Sequence, residues 1–141
     1  MDVEWLILAD AAQVTGGKLY LIGGGWDKVT TNKFPLRQSM SIAVSFRVPW
    51  TETNERHSFE VEIESADGEA IAKVPGHFEI GRPPGTPPGQ DQRAQFAVNA
   101  NWSINKPGGY VVIARVDGQE GQRFPFTVVP GSMVDQAVNG D

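Results

Sequence analysis

The chain contains no cysteine. Disulfide scaffolds, zinc–thiolate centres and thiol nucleophiles are excluded with it. Histidine is nearly as scarce: His57 and His77 stand twenty residues apart with no metal-ligand spacing around either. One of them would have to serve as the base of a Ser–His–Asp triad, yet no G-x-S-x-G turn exists to expose a serine. Basic clusters are missing too. The 12 Lys and Arg and 17 Asp and Glu, net charge −5, are scattered, and no window has the basic density that phosphate neutralisation requires. Nucleic acid is therefore not an expected partner. No run approaches the ~18 apolar residues of a membrane span. The opening "MDVEWLILADAAQ" lacks the basic region and long apolar core of a secretory signal, because Asp2 and Glu4 flank only about four apolar residues. No membrane partner is expected, and a cytoplasmic location is the default expectation.

What the chain does have is one domain's worth of length and a soluble composition. Its 141 residues can bury a real core, and its 40% apolar and 21% charged fractions are those of a globular protein. Sixteen glycines and ten prolines point to many turns and few long helices, since both interrupt helix interiors. The clearest pattern is "HSFEVEIESADGEAIAKVPG", where Phe59, Val61 and Ile63 alternate with Ser58, Glu60, Glu62 and Glu64. Period two with one apolar side means a strand with one face in the core. Asp67-Gly68 then marks a hairpin turn, because both turn positions tolerate positive φ. The same grammar repeats in "GGYVVIARV" and "GQRFPFTVV" around Asp117-Gly118, and the first of these, apolar on both faces from Val111 to Ala114, reads as a central strand. "SMSIAVSFRV" places Ile42, Val44, Phe46 and Val48 on one face and Ser41, Ser45 and Arg47 on the other, and "AQFAVNANW" turns Phe96 and Val98 inward, with Trp102 at the same parity. The alanines of "EWLILADAAQV" also suit a helix; the expectation is a strand paired with residues 18 to 24. The loop "GRPPGTPPGQDQ", residues 81 to 92, is expected to cross from one sheet to the other.

Few residues carry candidate chemistry. The triplet Gly23-Gly24-Gly25 in "YLIGGGWDKV" resembles a phosphate loop only superficially. Val29, Thr30 and Thr31 follow, no helix starts there, and no Gly-Lys-Ser/Thr appears, so a bend or bulge is expected. Glu60, Glu62 and Glu64 share one strand face about 7 Å apart and read as a solvated row, since a strand face splays ligands that calcium needs convergent. Asp10, Asp27 and Asp91 lie in or near loops. Four tryptophans, Trp5, Trp26, Trp50 and Trp102, suit core packing, a stacking platform for a sugar, or an anchor for a protein. The candidate binding surface is Trp26, Asp27, Trp50, Arg82, Asp91 and Trp102; no catalytic, cofactor or metal residue stands out.

The stretches "LADAAQVTGGKLYLIGGGWD", "VPWTETNERHSFEVEIESADG", "GRPPGTPPGQDQR" and "PGGYVVIARVDGQEGQRFPFTVV" resemble a family of small uncharacterised bacterial proteins catalogued as a domain of unknown function. The likeness spans residues 3 to about 129. It implies a stand-alone β-sandwich-like protein with no assigned activity and no agreed site residues. The last hairpin is also similar to the final two strands of many immunoglobulin-like domains, a likeness of architecture alone.

The expected fold is all-β: a single antiparallel β-sandwich, immunoglobulin-like or jelly-roll-like, of about seven to nine short strands over residues 1–130, with a flexible tail at 131–141. The expected function is a non-catalytic binding or interaction module without cofactor, making protein–protein contact. The alternative is a small-ligand or carbohydrate binder using the loop tryptophans, with a hydrolase least favoured. An edge strand with unpaired N–H and C=O groups must be covered, charged or paired. No charged row guards residues 18 to 24, so a homodimer is expected, with the N-terminal hairpin and Trp26 near the contact.

Overall fold

The structure is a computed structural model that describes residues 1–131. Beyond Gly131, the expected tail lies outside the described residues. Among the described residues nine strands run β1 (Asp2–Thr15), β2 (Lys18–Gly24), β3 (Lys28–Thr31), β4 (Leu36–Val48), β5 (Arg56–Ser65), β6 (Ala70–Glu79), β7 (Gln92–Ile104), β8 (Gly108–Val116) and β9 (Gln119–Pro130), with one 3-10 turn at Trp50–Glu52. They form a four-stranded sheet in the order β2-β1-β4-β7 and a five-stranded sheet in the order β3-β9-β8-β5-β6. The protein is all-β.

Alternation decides which side of each strand is buried. Leu6 and Leu8 of β1, Ile42, Val44 and Phe46 of β4, and Val98 and Trp102 of β7 come from the first sheet. They meet Val61 and Ile63 of β5, Val112 and Ala114 of β8, and Phe126 and Val128 of β9 from the second, in one core. Phe46 joins the two layers at one end, with ring centroids 5.4 Å from Phe59, 5.5 Å from Phe78 and 5.9 Å from Phe96. The Asp67-Gly68 and Asp117-Gly118 turns, the pairing of residues 18 to 24 with β1, and β8 as a central strand are all as the sequence led one to expect. The proline-rich segment connects β6 in one sheet to β7 in the other.

Four expectations need correction. The strands are not all short: β1 has 14 residues, and β4 and β7 have 13 each, paired in unbroken register from Leu36↔Ile104 to Val48↔Gln92. Nor is the pairing wholly antiparallel, because β3 runs parallel to β9. β3 is reached by crossing between sheets after the Gly23–Trp26 bend, and a crossing strand need not reverse direction as a hairpin strand must. The glutamate row is not simply solvated. Glu62 is only 4% exposed, because Lys73 of β6 and Arg115 of β8 lie 3.3 and 3.5 Å from its carboxylate. Trp102, named as a surface candidate, is 2% exposed and its indole N–H donates to the Met40 carbonyl at 3.2 Å; it belongs to the core.

The glycine triplet turns the chain out of β2. Gly23 and Gly25 sit at φ 62° and 87°, and the Gly25 N–H donates to the Leu8 carbonyl at 2.8 Å. A side chain at Gly23 would also collide with the Asp10 carboxylate. Gly23→Ala is therefore expected to destabilise the fold by about 1 kcal/mol or more, read as a lower urea midpoint at unchanged slope.

Candidate functional site

β1 changes partner half-way along. Residues from Asp2 to Ala9 pair with β4, whereas Ala9 to Thr15 pair with β2, so the distal half and β2 form a two-stranded arm. The arm curls towards β7. The Gln95 side-chain amide donates to the Gly17 carbonyl and that of Asn99 to the Ala12 carbonyl, each at 3.1 Å. Small residues permit this closeness: Ala9, Ala12, Ser41, Ala43 and Ser45 are all buried, although the last three alternate with the core side chains of β4. The polar face read into β4 is thus largely a second buried layer. Ser45 also donates to the Glu4 carboxylate at 3.0 Å.

One side of the arm remains free. Tyr20, Leu21 and Ile22 are 55%, 37% and 72% exposed, and they are the exposed large hydrophobics among the described residues. All three lie on β2, an edge of the first sheet whose single charged residue is Lys18. The other edges differ. β3 has four residues, β6 carries Lys73 and Pro75, and β7 is approached by the curled arm through Gly17 and Ala12. An edge that is short, charged or interrupted by proline discourages pairing; β2 has only Lys18 at its start and no such guard from Leu19 to Gly24.

At the base of the arm is an open cavity of about 270 Å³ lined by Asp10, Trp26, Lys28, Val29, Thr30 and Met40. Trp26 is half-buried and packs edge-on against Phe126, ring centroids 6.3 Å apart. Its indole N–H is buried with no acceptor among the described residues. The cavity thus gathers an aromatic side chain, a carboxylate, an ammonium and a hydroxyl.

The remaining candidates are spread out. Asp27 is exposed beside Trp26, and its backbone carbonyl accepts from the Thr127 N–H at 2.9 Å. Trp50 and Arg82 engage each other: the guanidinium lies 3.7 Å from the indole centroid and donates to the Trp50 carbonyl and the Thr53 hydroxyl, both at 2.6 Å. The pair ties the start of the proline-rich segment to the 3-10 turn. Asp91 lies 3.9 Å from Arg47, which with Arg93 also holds Glu4. Arg93, Ser45 and Arg47 hold the Glu4 carboxyl down at about 2 against the opposing effect of burial.

His57, the buried histidine, is fully engaged. Its Nδ1 lies 2.8 Å from the Asp117 carboxylate and its Nε2 lies 2.8 Å from the Glu52 carbonyl. Both ring nitrogens face acceptors, so the ring satisfies both as an imidazolium. Burial works against that charge, but the Glu52 carbonyl and Asp117 outweigh it, and the pKa is raised above 6.5. Asp117 is lowered: burial opposes this, while His57 and the Ser58 N–H favour the carboxylate. No ring nitrogen is left over for general-base work.

Residues 4–129 match the model of a family of unknown function, DUF6941. The chain belongs to that family. No characterised protein matches this DUF6941 member. Among solved structures it is similar to a β-glucosidase from Listeria innocua in complex with gluconolactone, at TM-score 0.38 and 8% identity over 73% of this chain and 14% of that one. The same enzyme in complex with glucose gives TM-score 0.38 and 8% identity over 73% and 15%. The chain spans about one-seventh of that enzyme's length. A likeness at this TM-score carries no argument about fold or activity.

Sequence reasoning singled out Trp26 and named Asp10 among carboxylates in or near loops, but missed Lys28, Thr30 and Met40. Asp10 lies instead among alanines within β1, and Lys28 and Thr30 belong to a short β-branched run. The available signal was the glycine at 23, which admits the Asp10 carboxylate.

Proposed function

We propose that this DUF6941 member is a non-catalytic binding module, an immunoglobulin-like sandwich whose contact surface is the open β2 edge and whose partner supplies a protein strand. The strand order supports the architecture. β9-β8-β5 and β1-β4-β7 follow the G-F-C and A-B-E neighbours of immunoglobulin-like sheets, with β2 as an added strand. The observation that carries the functional reading is the run Tyr20-Leu21-Ile22, three consecutive exposed apolar residues on an unguarded edge. Backbone N–H and C=O groups on such an edge supply affinity to an incoming strand, and alternate side chains supply selectivity. A photo-cross-linking amino acid placed at position 20 or 22, in the cells that make the protein, tests this. Covalent adducts with a polypeptide are expected from both positions and not from position 77 on the β6 edge. No adducts, or equal adducts from position 77, would refute it.

The cavity supports a second reading, a polar ligand of monosaccharide size. The lining favours it, because an aromatic side chain stands beside a carboxylate, an ammonium and a hydroxyl in one open cavity. Asp10 would accept from ligand hydroxyls, Lys28 would donate to them, and the indole would stack on an apolar ring face. Calorimetry with neutral monosaccharides on the parent and Trp26→Leu proteins decides it: heat of binding lost in the variant supports the reading, and no heat in the parent ends it.

A further inference from the structure

We infer that the strand accepted by β2 is the β2 of a second copy of this chain, paired antiparallel about a two-fold axis through Leu21. The inference rests on the reading of β2 as the contact edge and adds the partner and the register. Gly16 and Gly17, both at positive φ, make a two-residue turn that places Thr15 opposite Lys18. In such a hairpin the pair flanking the turn exchanges both hydrogen bonds, and the pattern then alternates. Lys18, Tyr20 and Ile22 therefore direct their backbone groups to β1. Leu19 and Leu21 direct theirs outward, where the sheet has no further strand among the described residues.

The apolar side chains select the register. With the axis at Leu21, the two copies of Leu21 face each other and exchange both of their outward hydrogen bonds, and each Leu19 lies opposite the partner's Gly23. The same register sets Tyr20 opposite the partner's Ile22 twice over, an aromatic–β-branched pair of the kind that stabilises sheets, and it covers the two most exposed apolar side chains at once. Moving the axis to Leu19 or Gly23 leaves Ile22 or Tyr20 uncovered. Charge points the same way. A parallel pair would set the two Lys18 ammonium groups side by side, whereas this register separates them by about 20 Å and turns each towards the end of β2 that leads to the partner's Asp27. Two-fold pairing also closes the edge, since each copy consumes the other's. One strand pair is a small interface, so dissociation in the micromolar range or weaker is expected.

The lack of native cysteine makes the register directly testable. Facing hydrogen-bonded residues of antiparallel strands have Cα atoms about 5.5 Å apart, within disulfide range. Leu21→Cys should therefore cross-link to a dimer under mild oxidation. Leu19→Cys should stay monomeric, because its two copies would lie about 13 Å apart. In the unsubstituted protein, the amide of Leu21 should exchange more slowly as concentration rises. Cross-linking of Leu19→Cys in place of Leu21→Cys would overturn the register. Failure of Leu21→Cys to cross-link, with no concentration dependence of exchange, would overturn the self-pairing. If positions 20 and 22 still gave photo-adducts with a different polypeptide, the edge reading would survive that failure; if they gave none, both would fall.

Discussion

Trp102→Ala is expected to lower the free energy of unfolding by about 3–5 kcal/mol, the largest effect of any single tryptophan change here. The side chain is 2% exposed, lies in the shared core and donates its N–H to the Met40 carbonyl. Removal leaves a cavity that two sheets cannot close without breaking register, and it strands a carbonyl acceptor. Against a typical total of about 5–15 kcal/mol, the loss is a large share. Trp26→Ala should cost clearly less, because that ring is half-buried beside an open cavity. Urea unfolding of both variants checks the contrast. Equal losses would mean that Trp26 is as much a core residue as Trp102, and the cavity would lose its claim to be a site.

His57→Gln should cost about 2–3 kcal/mol at pH 6 and remove most of the pH dependence of stability above neutrality. The imidazolium is held by Asp117 on one side and the Glu52 carbonyl on the other. Its folded pKa is raised above 6.5. A raised basic pKa means that the contribution is complete below the unfolded value and fades as pH climbs through the folded one. The parent protein should therefore weaken from about pH 6.5 upward, and the variant should be flatter over the same range. The Met1 ammonium, 2.9 Å from the Glu52 carboxylate, also has its pKa raised, from 8.0, so a shallow alkaline decline should persist in the variant. Chemical denaturation at several pH values reads both slopes, and identical slopes would contradict the assignment of an imidazolium.

Much of the scaffold could be read from residues in a single strand or turn. Asp-Gly pairs announced two hairpins because the chemistry of a tight turn is local. Strict alternation at Phe59, Val61 and Ile63 announced a core face for the same reason. What failed were facts held by distant partners. Burial of Glu62 depends on Lys73 and Arg115 arriving from neighbouring strands, which one strand's pattern does not contain. Burial of Ser41 and Ser45 depends on a long strand curling back with its hairpin, and small polar residues look like a solvent face until something covers them. The parity of β7 did point Trp102 inward along with Phe96 and Val98; its abundance of polar neighbours is what made it resemble a binding residue. The cavity combines Asp10, Trp26 and Met40 from three stretches of chain, so only folding brings them together. The open edge was visible as an absence of charge from residue 19 to 26, and the structure adds that its apolar side chains face solvent.

The central claim is that β2 is a contact edge closed by a second copy. Molar mass by light scattering over a concentration series, for the parent protein and for Leu21→Pro, tests it most directly. Proline removes the outward N–H at the middle of the pairing while leaving the bonds to β1 in place. The account predicts that the parent approaches twice the monomer mass as concentration rises, while the variant keeps its β-sheet circular dichroism and stays at the monomer mass. A parent protein that remains a monomer throughout the series, or a variant that dimerises equally well, would contradict it.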